Sequence, residues 1–216
     1  MDSEADKSKR TLIILSPLAV IALGHLTARI AGAFIGVWAW IPLTIVFWSA
    51  LILLMAWGTG RGTYSGWLAP PKGKWGWSLL ALLVGFIPLP IFLFHWELLI
   101  PTEIWTSWLI FALINPWIEE GYWRGLLMEA SKNWKPWQQI GYSSFFFAAS
   151  HPVIWGVNSL PNREPAVFMS TLIMGLVWAW VFYKTGSLRW AICSHILVDL
   201  FNLSVPVFLN IYVPPT

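Results

Sequence analysis

Seven stretches of this sequence are apolar and about long enough to cross a bilayer: residues 11–32, 33–57, 78–100, 106–128, 138–155, 166–183 and 190–210. A spanning helix needs about 20 predominantly apolar residues. Backbone polar groups in hydrocarbon must find partners inside their own segment, so these stretches are expected to fold as helices rather than open strands. Composition agrees, with 57% hydrophobic and 11% charged residues, against roughly 25% charged in an ordinary soluble domain. The expected fold class is all-α: a polytopic membrane helix bundle of about seven transmembrane helices, forming one integral membrane domain over residues 1–216.

The basic residues set the expected orientation. With the N-terminus cytoplasmic, the inner connections hold Lys7, Lys9, Arg10, Arg61, Lys72, Lys74, Lys132, Lys135, Lys184 and Arg189, while the outer ones hold Arg163 and, near a helix end, Arg29. That is a positive-inside pattern with the C-terminus outside. It also accounts for the net charge of +3 without a nucleic-acid partner. The first apolar run follows "KSKR" and ends near "AGA", as a signal peptide would, but its length, His25 and Arg29 favour a retained helix. The Gly- and Pro-rich connection at 58–77 reads as a cytoplasmic loop.

Many of the 18 Trp lie at run ends (Trp57, Trp67, Trp75, Trp77, Trp134, Trp137 and Trp190) and read as anchors at the membrane interface. The single cysteine, Cys193, has no disulfide partner and no thiolate cluster to join, and reads as a small buried apolar residue.

Against this background the polar residues inside the runs stand out. In "NPWIEEGYWRGLL", residues 115–127, three charges fall within six positions. Even lenient insertion scales put each charge at about 2.5 to 3.5 kcal/mol near the bilayer centre. On a helix Glu120 and Arg124 are four apart and share a face, whereas Glu119 is turned away by about 100°. One carboxylate is offered a structural partner and the other is left free, which is the asymmetry a general base needs. A single structural network of all three charges is the alternative. "FFFAASHP" places Phe147 and His151 one turn apart, with Pro152 expected to kink the helix and open space beside the imidazole. "SHILVDLFN" stacks His195, Asp199 and Asn202 as a polar stripe.

A carboxylate and a histidine facing one water can activate it for attack on a carbonyl. A second histidine, with an amide or a protonated acid, can hold the oxyanion. The same groups also suit a proton relay or a divalent metal. His25 and Arg29 share a face and read as structural, Arg29 by snorkelling. His95 and Glu97 would lie about 200° apart on a continuous helix, so no common site follows for them. No internal repeat is visible, which disfavours an inverted-repeat transporter.

The three patterns together resemble the CAAX-processing and bacteriocin-processing family of intramembrane endopeptidases, also called CPBP or Abi, whose motifs are Glu-Glu-x-x-x-Arg, Phe-x-x-x-His and His-x-x-x-Asn or Asp on separate helices. Here they stand in family order as "EEGYWR" (119–124), "FAASH" (147–151) and "HILVD" (195–199).

The resemblance covers about residues 106–202. It implies a glutamate-type intramembrane peptidase in which Glu119 and His151 activate water and His195 and Asp199 stabilise the oxyanion. Glu120, Arg124, Phe147 and Asn202 would support them. Because Asp199 donates only when protonated, its task is shared in expectation with Asn202. Residues 105–203 would be a catalytic four-helix core, and residues 1–104 the N-terminal helices with their cytoplasmic loop.

No cofactor is expected. Were a divalent metal such as zinc used, Glu119, His151 and His195 would be its ligands, although the helical HExxH signature is absent. The implied substrate is a membrane-anchored or lipidated peptide or protein cut near its C-terminus: a sorting signal, a peptide precursor or a prenylated CAAX-type tail. The implied location is a prokaryotic cytoplasmic (inner) membrane. A non-proteolytic binding or immunity protein of the same fold, or a small proton-coupled transporter, is the alternative. Counted at about 1.5 Å per residue from the predicted inner ends, Glu119 lies about 14 Å deep, His151 about 20 Å and His195 about 8 Å. Tilt, a kink or displaced helix ends must close that spread.

Overall fold

The computed structural model describes residues 4–213, which form an all-helical bundle with no strand among them. Every apolar run becomes helix. α1 (Glu4–Ile35) turns through a 3-10 segment, Gly36–Ala39, into α2 (Trp40–Gly58). Gly36 takes φ +57°, a left-handed conformation open to glycine at little strain. The two helices form an antiparallel hairpin, since Lys9 near the start of α1 lies over the Trp57 ring at the end of α2.

Two runs expected to be continuous are broken. Residues 78–100 become α4 (Gly76–Gly85), a turn, α5 (Leu89–His95) and a 3-10 turn, Trp96–Leu99. The cause is in "IPLPIF", where Pro88 and Pro90 supply no N–H to the preceding turn. Residues 190–210 become α10 (Arg189–Phe201) and α11 (Ser204–Phe208), separated at Leu203, which has φ +56°. The remaining elements are the short α3 (Thr63–Trp67), α6 (Thr102–Glu120), α7 (Leu127–Ala130), α8 (Pro136–Val153) and α9 (Pro165–Thr185). By length and apolarity, Glu4–Gly58, Gly76–Leu99 and Pro165–Thr185 qualify as membrane-crossing stretches. The helices that bear the polar motifs, α6, α8 and α10, are shorter or less apolar.

Lipid offers helices no hydrophobic reason to associate, so close packing must do it. At Gly85 an added Cβ would stand 2.9 Å from the Ser194 carbonyl oxygen, so α4 and α10 touch backbone to backbone. α8 packs along α9, while α10 is held between α4 and α6. Large apolar side chains on α1, α2, α4 and α9 (Leu15, Leu53, Leu83 and Ile173 among them) point outward, as a lipid-facing surface requires.

The 58–77 connection is more than a loop. Trp67 O accepts from Leu188 N at 2.8 Å, Thr185 O from Lys72 N at 3.0 Å, Ala69 O from the Ser187 hydroxyl at 2.7 Å and Leu68 O from Arg189 Nε at 2.6 Å. The segment therefore underlies the α9–α10 turn. Trp67 is buried there and is no interface anchor, unlike the exposed Trp57, Trp75 and Trp137. Cys193 is exposed on α10, contrary to its expected burial.

Candidate active site

α6 runs without interruption into a π-helical stretch, Gly121–Leu126, and then α7. Wide turns of this kind inside helices frequently mark functional sites. Here the stretch follows directly on Glu119 and Glu120 and is buried throughout.

The two carboxylates have different surroundings. Glu120 Oε1 accepts from Arg124 Nη1 at 2.9 Å and from His195 Nδ1, also at 2.9 Å, and all three side chains are buried. Glu119 is engaged only at longer range: its Oε2 lies 3.4 Å from Asn115 Nδ2 and 3.7 Å from His195 Nε2. The asymmetry read from helical spacing is thus present, with a histidine from α10 added to the Glu120 pair.

Hydrogen-bond chemistry fixes both imidazoles. A carboxylate accepts, so His195 Nδ1 carries hydrogen and Nε2 faces Glu119 and Asp199, each at 3.7 Å. A backbone carbonyl likewise only accepts, so His151 Nδ1 donates to Phe147 O at 3.0 Å and Nε2 is left as the acceptor. Phe147 serves as the shared wall. Its ring meets His151 at 5.1 Å and His195 at 5.9 Å, and the Arg124 guanidinium lies over it at 4.1 Å. Trp178 stacks on His195 at 4.8 Å.

Glu119, His151, His195, Asp199 and Asn202 line one small cavity of about 50 Å³, closed on its other side by Phe111, Trp155 and Phe208. One water needs roughly 10–15 Å³ in this measure and two to four polar partners, and both conditions are met. A larger cleft of about 270 Å³ shares His151, His195, Asp199 and Asn202 and continues between α5 and α9, walled by Ile87, Ile91, Val167 and Met174.

The expected mid-helix kink at Pro152 is absent, while His151 and His195 line the same cavity as Glu119. That proline falls in the last turn of α8, which ends at Val153, and His25 of α1 donates to the Val153 carbonyl at 2.7 Å. The start of α10 rests on the 67–72 segment. His95 and Glu97 also depart from expectation. The helix breaks after His95, and the two side chains come within 3.9 Å on an exposed surface. Arg29 is exposed and far in sequence from the motifs.

Asn115 is the residue that sequence reading passed over. Its amide nitrogen reaches Asp199 Oδ2 at 3.1 Å as well as Glu119, and its oxygen accepts from the Trp48 indole at 2.8 Å. The signal was available, since Asn115 precedes Glu119 by the same four positions that pair Glu120 with Arg124. Among the described residues no group of three or more His, Cys, Asp and Glu side chains is placed to hold a metal ion.

Residues 101–201, from the start of α6 to the end of α10, match a family model described as "Rce1-like: Type II CAAX prenyl endopeptidase Rce1-like". The matched segment is thus similar to the CAAX protease family whose motifs it carries, and the helices long and apolar enough to cross a membrane fit an integral membrane protein. No curated protein and no solved structure matches the chain significantly.

Proposed function

We propose that the protein is an intramembrane glutamic endopeptidase that hydrolyses a peptide bond near the C-terminus of a membrane-delivered protein or peptide. The observation that carries this reading is the division of labour between adjacent carboxylates: Glu120 is held by Arg124 and His195, while Glu119 faces a water-sized cavity together with His151.

In the proposed step a water in that cavity gives one hydrogen bond to Glu119 and one to His151 Nε2. Glu119 takes its proton as the oxygen attacks the scissile carbonyl carbon. The carbonyl oxygen becomes an oxyanion, and His195 donates to it from Nε2 when its ring carries both protons, with Nδ1 anchored on Glu120. Asp199 joins as a donor in its protonated form, with Asn202 one turn further on. Glu119 then passes its proton to the leaving nitrogen, the C–N bond breaks and a new carboxyl terminus is released. The step uses only these side chains.

Residues 105–203 are the proposed catalytic core. The substrate we favour enters from the bilayer along the apolar cleft between α5 and α9. It is a lipidated CAAX-type tail, a C-terminal sorting signal or a peptide precursor, and the membrane is the cytoplasmic membrane of a prokaryote.

The test is cleavage by the purified protein in liposomes, read by mass spectrometry. The substrates are a farnesylated CAAX peptide, its unlipidated form and membrane-extracted peptides. Wild type is expected to generate new termini, and Glu119→Gln and His151→Ala to lose at least about 100-fold in rate, the usual contribution of a positioned general base. Cleavage that persists in folded Glu119→Gln would remove Glu119 as the base, and termini that never appear with native substrate present would replace this reading with a binding or immunity protein of the same fold.

A further inference from the structure

We infer that Trp48 and Asn115 form a positioning relay that sets the geometry of Glu119 and Asp199, so that α2, outside the matched segment, is part of the catalytic apparatus. The inference rests on the proposed proteolytic reading, because a relay needs a reaction to serve. An indole N–H donates and never accepts, so the Asn115 atom 2.8 Å from Trp48 Nε1 must be its oxygen. That contact fixes the flip of the amide and turns both hydrogens of Nδ2 the other way. There they meet the two carboxylates, Asp199 Oδ2 at 3.1 Å and Glu119 Oε2 at 3.4 Å.

One donor group thus links acidic side chains from α6 and α10, at shorter range than His195 Nε2, which stands 3.7 Å from each. Phe111, Asn115 and Glu119 follow one another at four-residue spacing on α6, and Trp48 stacks on Phe111 at 5.7 Å, so the indole is located independently of the hydrogen bond it makes. Asn115 is 3% exposed and its donors and acceptor are all engaged. With the amide free to flip, its oxygen would point at two carboxylates, and Glu119 would lose its reference point beside the cavity.

These are positioning residues, because neither is required to touch substrate. Trp48→Phe removes only the N–H and keeps a ring to stack on Phe111. Asn115→Ala removes the bridge. Kinetics would be measured in liposomes on a quenched peptide spanning the cleavage site, with melting temperature recorded for each variant and Glu119→Gln alongside.

A displacement of catalytic groups by about 1 Å is worth up to about 100-fold in rate. We expect kcat to fall about tenfold or more in Asn115→Ala and by a smaller factor in Trp48→Phe, with KM held within about twofold. The double variant should fall no further than Asn115→Ala alone, since members of one chain of contacts are not additive. Unchanged kcat in both single variants beside an inactive Glu119→Gln overturns the relay and leaves the protease. Effects that multiply in the double variant also overturn it. Full activity in Glu119→Gln overturns Glu119 as the general base, and an inactive wild type overturns the protease reading itself. Should Asn115→Ala fail to fold, the kcat and KM of Trp48→Phe decide the matter.

Discussion

Arg124 shows how a single charge is made acceptable in a membrane. Its guanidinium is fully buried, bonded to Glu120 through Nη1, and spread over the faces of Phe147 at 4.1 Å and Trp178 at 5.4 Å. Nε and Nη2 have no hydrogen-bond partner among the described residues, so the ring faces are the surroundings of that side of the plane. Arg124→Ala would leave Glu120 buried beside a void, and removing one partner of a buried pair costs about 3–5 kcal/mol. We expect a sharply lowered melting temperature in detergent. Arg124→Lys should recover little of it, because an ammonium group cannot lie flat over two rings. A melting temperature unchanged in Arg124→Ala would show that the pair is dispensable. Of these contacts, the Glu120–Arg124 pairing was legible from four-residue spacing. The rings were not, since Phe147 and Trp178 arrive from other helices.

At the scale of elements, α10 must hold His195 in register with α6, and it packs as closely on α4. An alanine at 85 would press its Cβ on the Ser194 carbonyl oxygen at 2.9 Å and Cα at 3.1 Å, and neither is the end of a flexible side chain. We expect Gly85→Ala to push α10 outward and lower kcat at least about tenfold while helix content by circular dichroism stays native. Native kcat in this variant would mean that α10 tolerates the shift. The π-helical stretch is a second element-scale device. Deleting Tyr122 would convert it towards ordinary α-helix, bring Arg124 from four positions to three after Glu120 and remove the Tyr122–Ser16 hydrogen bond. Cleavage should vanish in that variant, and retained cleavage would remove the stretch from the argument. Helical periodicity gave no warning of it, because the same residues are compatible with an α-helix of ordinary pitch.

For the whole molecule, the 58–77 segment ties the first half of the chain to the second. It underlies the α9–α10 turn and buries Trp67 against the π-helical stretch, where an added Cβ on Gly125 would collide with the indole. Replacing a buried Trp by Ala typically costs about 3–5 kcal/mol. Trp67→Ala should therefore lower both melting temperature and activity, and a variant with wild-type values of both would deny the segment this role. Orientation belongs to this scale as well. In a Cys193→Ser background, a cysteine at Lys72 or Arg61 should react with a membrane-impermeant maleimide only after the cells are opened, and one at Arg163 should react in intact cells. The reverse pattern would invert the proposed topology.

Sequence by itself determined the all-helical class, because uninterrupted apolar runs leave the backbone no other way to satisfy its hydrogen bonds in lipid. It also marked the motif residues, since charges and histidines inside such runs are too costly to be casual, and it separated Glu119 from Glu120 by helical geometry alone. Tertiary structure decided what lies between elements distant in the chain. His195 caps Glu120 across 75 positions, and Trp48 orients Asn115 across 67. The α9–α10 turn is bonded to a segment more than a hundred residues away, and two long apolar runs break. Local periodicity reports the face a residue occupies on its own helix. Which residue of another helix meets that face depends on tilt, on close glycine approaches and on where each helix ends, and those are properties of the packed bundle.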